Sequence, residues 1–139
     1  LRSWNMTKLH IKATKSSPEI LLDPFTHQHA LKGESYPENS LEFYREFFDW
    51  IDAYINNILD DAQEVIFNIE LIYFNSSSSK VLMDLFDIFD DACEDGKNIA
   101  VNWVYNEDND AILEYGEEFA EDYENLKFNF VVIWKKISI

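Results

Sequence analysis

The stretch that decides the fold runs from Glu64 to Lys80 and reads EVIFNIELIYFNSSSSK. Its first part, Glu64 to Phe74, is rich in β-branched and aromatic side chains, which is typical of a central strand that is covered on both faces. Asn75 and four serines then interrupt the apolar run, and a helical pattern follows. We therefore predict a central strand that leads through a serine-rich loop, Ser76–Ser79, into a helix.

Patterns of apolar residues on either side of this stretch, alternating or with helical spacing, predict the other strands and helices. The strands are predicted at Lys8–Ala13, Glu19–Asp23, Ala30–Tyr36, Ile99–Tyr105 and Lys127–Trp134, and the helices at Ser40–Leu59, Ser79–Glu94 and Asn109–Tyr123. The order βββαβαβαβ predicts one α/β (α+β) domain over residues 1–139, with a mixed sheet of about five to six strands and three main helices. The residues before Met6 are given no role.

The first predicted helix has Asn39 as its N-cap, and Glu42 lies where it would complete a variant of the capping box. The apolar side of this helix is wide, because an aromatic stripe lies beside an aliphatic one. The aromatic stripe consists of Phe43, Phe47, Trp50 and Tyr54. We expect the stripe to pack against the sheet, and an exposed docking surface for a partner is the alternative.

Composition limits the classes of function. The chain has 139 residues, 47% of them hydrophobic, and a net charge of −16, which disfavours binding to nucleic acid or to anionic membranes. No apolar run approaches the length of a membrane-spanning helix. Cys93 is the only cysteine, so no intramolecular disulfide can form. We expect a cytoplasmic protein.

The serine run is the most informative candidate site, because it lies between the end of a strand and the N-terminus of a helix. Free backbone N–H groups and the positive end of the helix dipole favour an anion there, either bound or attached to a serine as phosphate. Lys80 would add a positive charge. A serine-rich turn can also be a simple helix cap, and the residues alone favour that interpretation.

Nothing in the sequence predicts an enzyme. The serines lack a Gly-x-Ser-x-Gly setting, and the three glycines are too far apart for a glycine-rich phosphate loop. The possible bases His10, His27 and His29 all fall in the first third of the chain. His27 and His29 lack a third metal ligand, so we expect an ordinary surface pair.

A calcium-loop pattern is also present but incomplete. Asn106, Asp108, Asp110 and Glu117 fall at its first, third, fifth and twelfth positions, but Ala111 occupies the position where the sharp turn requires glycine. We predict no metal site and no cofactor.

Four stretches spread over nearly the whole chain form a distinctive set. They read GESYPENS at 33–40, YFNSSSSK at 73–80, WVY at 103–105 and EYGEEF at 114–119. Together they resemble the SiaC family of bacterial regulatory phosphoproteins. That family is similar in fold to STAS domains, so the resemblance implies a STAS-like single domain in which a strand leads through a phosphorylatable residue into a helix.

The resemblance implies a non-catalytic switch. A cognate Ser/Thr kinase would phosphorylate the residue after Asn75, which is Ser76, and a metal-dependent Ser/Thr phosphatase would restore it. The family pattern has threonine at that position, so Ser77 and Ser78 remain alternative sites of phosphorylation. The unmodified protein would bind an effector such as a diguanylate cyclase, in cyclic di-GMP signalling and biofilm regulation. The expected partner-binding residues are Glu38, Asn39, Asn75, Ser77, Ser78 and Lys80.

One alternative uses the same serine run. A small-ligand or anion-binding STAS-like module would hold its ligand at the helix N-terminus without any covalent modification. An enzyme is the third hypothesis, and it would need a base near Ser76.

Overall fold

The computed structural model describes residues 6–57 and 63–134. In this part of the chain six strands form one sheet, in the order β1-β2-β3-β4-β5-β6. The strands are β1 (Leu9–Ile11), β2 (Glu19–Leu22), β3 (Gln28–Ser35), β4 (Glu64–Phe74), β5 (Asn98–Asn106) and β6 (Lys127–Ile133), and the helices are α1 (Ser40–Phe43), α2 (Arg45–Asn57), α3 (Ser76–Glu94) and α4 (Asp110–Asp122). The first three strands are antiparallel neighbours, and β3 to β6 are parallel. The predicted mixed α/β sheet is confirmed.

The first predicted helix is two helices. Asn39 caps α1 as predicted and accepts a hydrogen bond from the backbone N–H of Glu42 at 3.2 Å. Tyr44 then interrupts the helix, because its backbone leaves helical geometry (φ −90°, ψ 4°) while its hydroxyl hydrogen bonds with buried Ser35 at 2.6 Å. Backbone hydrogen bonds from Tyr44 to Ser40 and from Phe48 to Tyr44 continue across the junction, so only this residue separates the two helices. The predicted end at Leu59 lies outside the described residues.

All three long helices pack on one face of the sheet. On β4, Val65, Phe67, Ile69 and Leu71 are buried, whereas the side chains between them are partly exposed. The ring of Phe67 contacts aromatic rings of both α2 and α3. Our prediction that β4 is covered on both faces is therefore wrong. The reason is topological: right-handed crossovers that always step to the next strand in the same direction put every helix on the same side.

The open face carries a ladder of asparagine side chains. Asn68, Asn102 and Asn129 lie side by side on three neighbouring strands. The Asn129 amide donates to Asn102 at 3.1 Å, the Asn102 amide donates to Asn68 at 3.0 Å, and the Asn68 amide donates to the His29 carbonyl. Each amide meets a matched acceptor, so the ladder favours this register.

The aromatic stripe belongs mainly to the core. Phe47 and Tyr54 are almost fully buried. Phe43 and Trp50 are partly buried and pack against the same core. The Trp50 indole N–H donates to the Thr7 carbonyl at 2.8 Å. Packing against the sheet, the interpretation we expected, accounts for these residues.

His29 departs most from expectation, because it is 1% exposed and not a surface residue. Its Nδ1 accepts a hydrogen bond from the backbone N–H of Asp23 at 3.1 Å, which leaves the ring proton on Nε2. The ring packs among Trp50, Tyr54 and Phe67. Burial among these rings lowers the pKa of His29 to about 3.

A neutral, buried His29 makes stability depend on pH. The unfolded chain takes up the proton near pH 6.5 and the folded chain near pH 3, so the stabilisation is complete above pH 6.5 and is lost progressively as pH falls. We expect this group to remove about 2 kcal/mol of unfolding free energy between pH 6.5 and 5. Urea unfolding across that range should show a shallower pH slope for His29→Asn than for wild type. The control Gln28→Asn changes an exposed residue of the same strand that carries no titrating group, so it should keep the wild-type slope, and equal slopes for all three proteins would contradict the assignment.

Helix α4 approaches the sheet closely at Gly116. A Cβ atom there would lie 2.4 Å from the indole of Trp103, whose Nε1–H donates to the Ile112 carbonyl at 2.9 Å. The glycine therefore permits α4 to lie directly on the indole of β5.

Gly116→Ala should destabilise the protein although alanine is the better helix former by about 1 kcal/mol. Overpacking against Trp103 should lower the free energy of unfolding by about 1–3 kcal/mol, measured by urea denaturation. The exposed neighbour Glu117 supplies the control, because Glu117→Ala should change stability by less than about 0.5 kcal/mol. A stabilising Gly116→Ala variant would show that the contact has room to relax.

Candidate functional site

The serine run is the first turn of α3 and not a loop. The helix begins at Ser76, three residues earlier than predicted. Asn75 is the N-cap: its side chain accepts a hydrogen bond from the Ser78 N–H at 2.9 Å, and its own N–H donates to the Ser35 carbonyl at the end of β3. Asparagine caps a helix at least as well as serine does. Because Asn75 supplies the cap, the helix begins directly after it, at Ser76.

The serines of this turn point in different directions. Ser76 and Ser77 are exposed, whereas Ser78 is 1% exposed. The Ser78 hydroxyl hydrogen bonds with that of Ser35 at 2.7 Å, and Ser35 hydrogen bonds in turn with Tyr44 at 2.6 Å. This buried hydroxyl network ties β3, the α1–α2 junction and α3 together. A kinase cannot reach Ser78 while the turn is formed.

Ser76 and Ser77 border different pockets. Ser76 lies on a pocket of about 360 Å³ that is lined by Phe74, Asn75, Ser79, Met83 and Tyr115. Ser77 lies on a pocket of about 340 Å³, between α1 and α3, that also contains Glu38, Asn39, Lys80 and Asp84. The structure therefore brings Glu38, Asn39, Ser77 and Lys80 of the predicted partner-binding set into one pocket and leaves Asn75 in the other.

The two pockets differ in charge. In the Ser77 pocket, the Lys80 ammonium lies 3.9 Å from an oxygen of Asp84, and Glu38 adds a second carboxylate. The residues that line the Ser76 pocket carry no charge. A phosphate on Ser77 would face two carboxylates and one ammonium, whereas a phosphate on Ser76 would meet the first-turn N–H groups of α3 without a facing carboxylate. Electrostatics therefore favours Ser76 as the site of an added anion.

Exposed apolar side chains lie at the carboxyl end of β4, and one more, Tyr115, lines the Ser76 pocket. Tyr73 is 50% exposed and contacts the ring of Tyr36, while Tyr115 is 46% exposed and contacts Phe74. Ile72 is also exposed. These exposed residues were not predicted, because an apolar run in a central strand indicates burial along the whole strand. The signal was present in the position of Ile72 and Tyr73 at the end of the strand, beside the serine run.

The residues of the calcium-loop pattern have structural positions. Asn106 ends β5, Asn109 caps α4 by accepting a hydrogen bond from the Ile112 N–H at 3.2 Å, and Asp110 begins that helix. In residues 6–57 and 63–134, no three His, Cys, Asp or Glu side chains are grouped so that they could hold a metal ion. No helix in the same ranges is long and apolar enough to cross a bilayer.

Comparison with known proteins gives one consistent result. The model of the SiaC family regulatory phosphoprotein matches residues 11–133. An uncharacterised protein of Pseudomonas aeruginosa strain UCBPP-PA14 is 34% identical over 117 residues, which cover 84% of this chain and 90% of that protein.

Two solved structures from Pseudomonas aeruginosa have the same fold. Apo-SiaC is 31% identical, with a TM-score of 0.77 over 91% of this chain and 98% of its own. A chain in the crystal structure of the diguanylate cyclase SiaD in complex with its activator SiaC is 31% identical, with a TM-score of 0.83 over 90% of this chain and 99% of its own.

The buried hydroxyl network predicts that replacing neighbouring serines by alanine lowers the free energy of unfolding by different amounts. Ser78→Ala removes a buried partner of Ser35 and should lower the free energy of unfolding by about 1–2 kcal/mol. Ser77→Ala changes an exposed residue of the same turn and should cost less than about 0.5 kcal/mol. Urea denaturation of the two variants tests the network, and equal costs would show that it contributes no stability.

Proposed function

Because the chain belongs to the SiaC family of regulatory phosphoproteins, we propose that it is a non-catalytic switch protein that carries its phosphate on Ser76. A cognate Ser/Thr kinase adds the phosphate, and a metal-dependent Ser/Thr phosphatase removes it. The observation that carries the proposal is the exposed Ser76 hydroxyl, which directly follows the capping Asn75 at the N-terminus of α3.

The switch acts through charge at a surface that is otherwise uncharged. In the unmodified protein, Met83 and Tyr115, which line the Ser76 pocket, offer exposed apolar area for an effector to cover. Phosphorylation adds about −1.5 to −2 charges at that point. An effector that covered the site would have to desolvate this charge without a facing cation, so binding is lost. The N–H groups of the α3 first turn accommodate the phosphate, and the fold is kept.

The proposed effector is a diguanylate cyclase. SiaC is the activator of the cyclase SiaD in the crystal structure of their complex, and the chain compared there covers 90% of this protein. We infer that this chain likewise binds a cyclase in the cytoplasm, and so links phosphorylation to cyclic di-GMP and biofilm formation. The two pockets, around Ser76 and around Ser77, lie on adjoining sides of the α3 N-terminus, and one partner can contact both.

An anion-binding module receives less support from the same site. A freely bound anion needs several donors or a cation to compensate its loss of hydration. The residues around Ser76 supply no cationic side chain, and Lys80 of the neighbouring pocket is already close to Asp84. Thermal unfolding with inorganic phosphate tests this reading: a rise in Tm for wild type that disappears in Ser76→Ala would favour the module over the switch.

The switch predicts a clear difference between Ser76 and Ser77. In protein isolated from its own host, mass spectrometry should find phosphate on Ser76 in wild type and in the control Ser77→Ala, and none on the serine run in Ser76→Ala. Phosphate on Ser77 in the Ser76→Ala protein at the wild-type level would overturn the assignment.

The effect on the effector is tested separately. A Ser76→Asp variant should co-purify with the host cyclase at least tenfold less well than wild type, whereas Ser76→Ala should bind as wild type does, because only the aspartate adds charge. Equal binding of Ser76→Asp and Ser76→Ala would contradict the charge mechanism.

A further inference from the structure

The two edges of the sheet differ in how well they are protected against pairing with another chain. The edge strand β1 has only three residues. The opposite edge strand, β6, has seven residues with the sequence KFNFVVI, contains no proline, and carries one charge, at Lys127. Among the described residues, no strand pairs with the outer side of β6. Natural edge strands usually carry proline, inward charges or bulges that prevent association, and β6 lacks the first two.

Apolar side chains are exposed on both faces of this edge. Phe130 is 40% exposed on the face that carries the helices, where it is the register partner of buried Trp103. Val131 is 41% exposed on the open face, beside Val104. A strand added at this edge would therefore cover apolar area above and below the sheet.

The hydrogen-bonding groups that face outward can be identified. The Ile133 carbonyl accepts a hydrogen bond from the Glu107 N–H at 3.0 Å, so the backbone groups of Ile133 point towards β5. Backbone groups alternate from side to side along a strand. The N–H and C=O groups of Phe128, Phe130 and Val132 therefore point out from the free edge.

We propose that β6 joins two copies of this chain into a dimer by antiparallel pairing about a twofold axis at Phe130. This is the register in which all seven residues of β6 are paired and the outward-facing groups meet each other. Phe130 faces Phe130 of the second copy, and Phe128 faces Val132. About six backbone hydrogen bonds form, and the sheet continues through the interface.

Within β6 itself, charge does not oppose a second copy at this edge. The chain carries a net charge of −16, but within β6 the only charge is that of Lys127, so two copies can approach here. In the proposed register the two Lys127 side chains are about 20 Å apart along the strands, beyond the screening length of about 8 Å. Each Lys127 lies opposite Ile133 of the other copy, and Ile133 is in turn the neighbour of Asn106 on β5, which the acidic residues Glu107 and Asp108 follow in sequence. The edge is complementary to itself, as a twofold dimer requires.

The arrangement leaves the Ser76 sites free. A twofold axis perpendicular to the sheet keeps the helices of both copies on one face and reverses the strand direction. The two α3 N-termini, which follow the carboxyl ends of β4, then lie towards opposite ends of the dimer. The dimer can therefore present two effector sites without overlap, and its formation does not depend on phosphorylation.

Sedimentation velocity of the full chain tests the proposal. Wild type should reach twice the monomer mass of 16.4 kDa, and the dimer should strengthen as salt screens the net negative charge. Val132→Pro removes an outward N–H without touching the β5 ladder, and Phe130→Lys places two ammonium groups at the axis. Either variant should sediment as a monomer, with circular dichroism confirming the fold. A wild type that stays monomeric at all concentrations and salt levels, or folded variants that remain dimeric, would overturn the proposal.

Cysteine cross-linking tests the register directly, in a Cys93→Ala background. Phe130→Cys places two thiols across the axis, at the Cα separation of about 5.5 Å that a disulfide accepts, and diamide should convert most of the protein to a covalent dimer. The matched control Lys127→Cys places its thiols about 20 Å apart and should remain monomeric under denaturing electrophoresis. Equal cross-linking of the two variants would exclude this register. Ser76→Ala should dimerise as wild type does, so failure of the switch proposal is distinguishable from failure of this one.

Discussion

The handedness of the crossover connections governs most of this structure. From β3 to β6 the chain always moves to the next strand in the same direction, and right-handed crossovers then place every helix on one face. The carboxyl ends of the parallel strands also lie at one end of the sheet, where the last residue of β3, Ser35, lies beside the start of α3. One topological constraint thus yields a core on one side of the sheet, an open face that carries the asparagine ladder, and one end of the sheet at which the candidate site lies.

The candidate site at this end of the sheet rests on a buried hydroxyl network. The Ser35 hydroxyl hydrogen bonds with those of Tyr44 and Ser78 at the junction of β3, the α1–α2 break and α3. With Ser78 directed inward, the helical turn places the exposed residues Ser76 and Ser77 on adjoining sides of the helix N-terminus, about 100° apart. Adjacent serines of identical chemistry therefore differ in burial, because the packing of α3 against β3 fixes which side of the turn faces inward.

Local patterns predicted the order of strands and helices along the chain and one of the helix caps, but they placed the start of α3 three residues too late. Asn39 caps its helix as expected, and β4 is the central strand that its β-branched run indicated. The patterns failed where distant residues decide the outcome. The buried position of His29 depends on Trp50 and Tyr54 of α2, which are more than twenty residues away in sequence.

The sequence by itself determined the mixed sheet, the family pattern around Asn75 and an acidic net charge that disfavours nucleic acid as a partner, because propensity, motif and net charge are properties of the residues alone. Only the tertiary structure decided which serine is exposed, which pocket each one borders and which strand edge stays unpaired. Those features depend on the packing of α3 against β3 and the α1–α2 junction, and on the side of the sheet that the crossovers select. Neither is encoded in any local stretch of the chain.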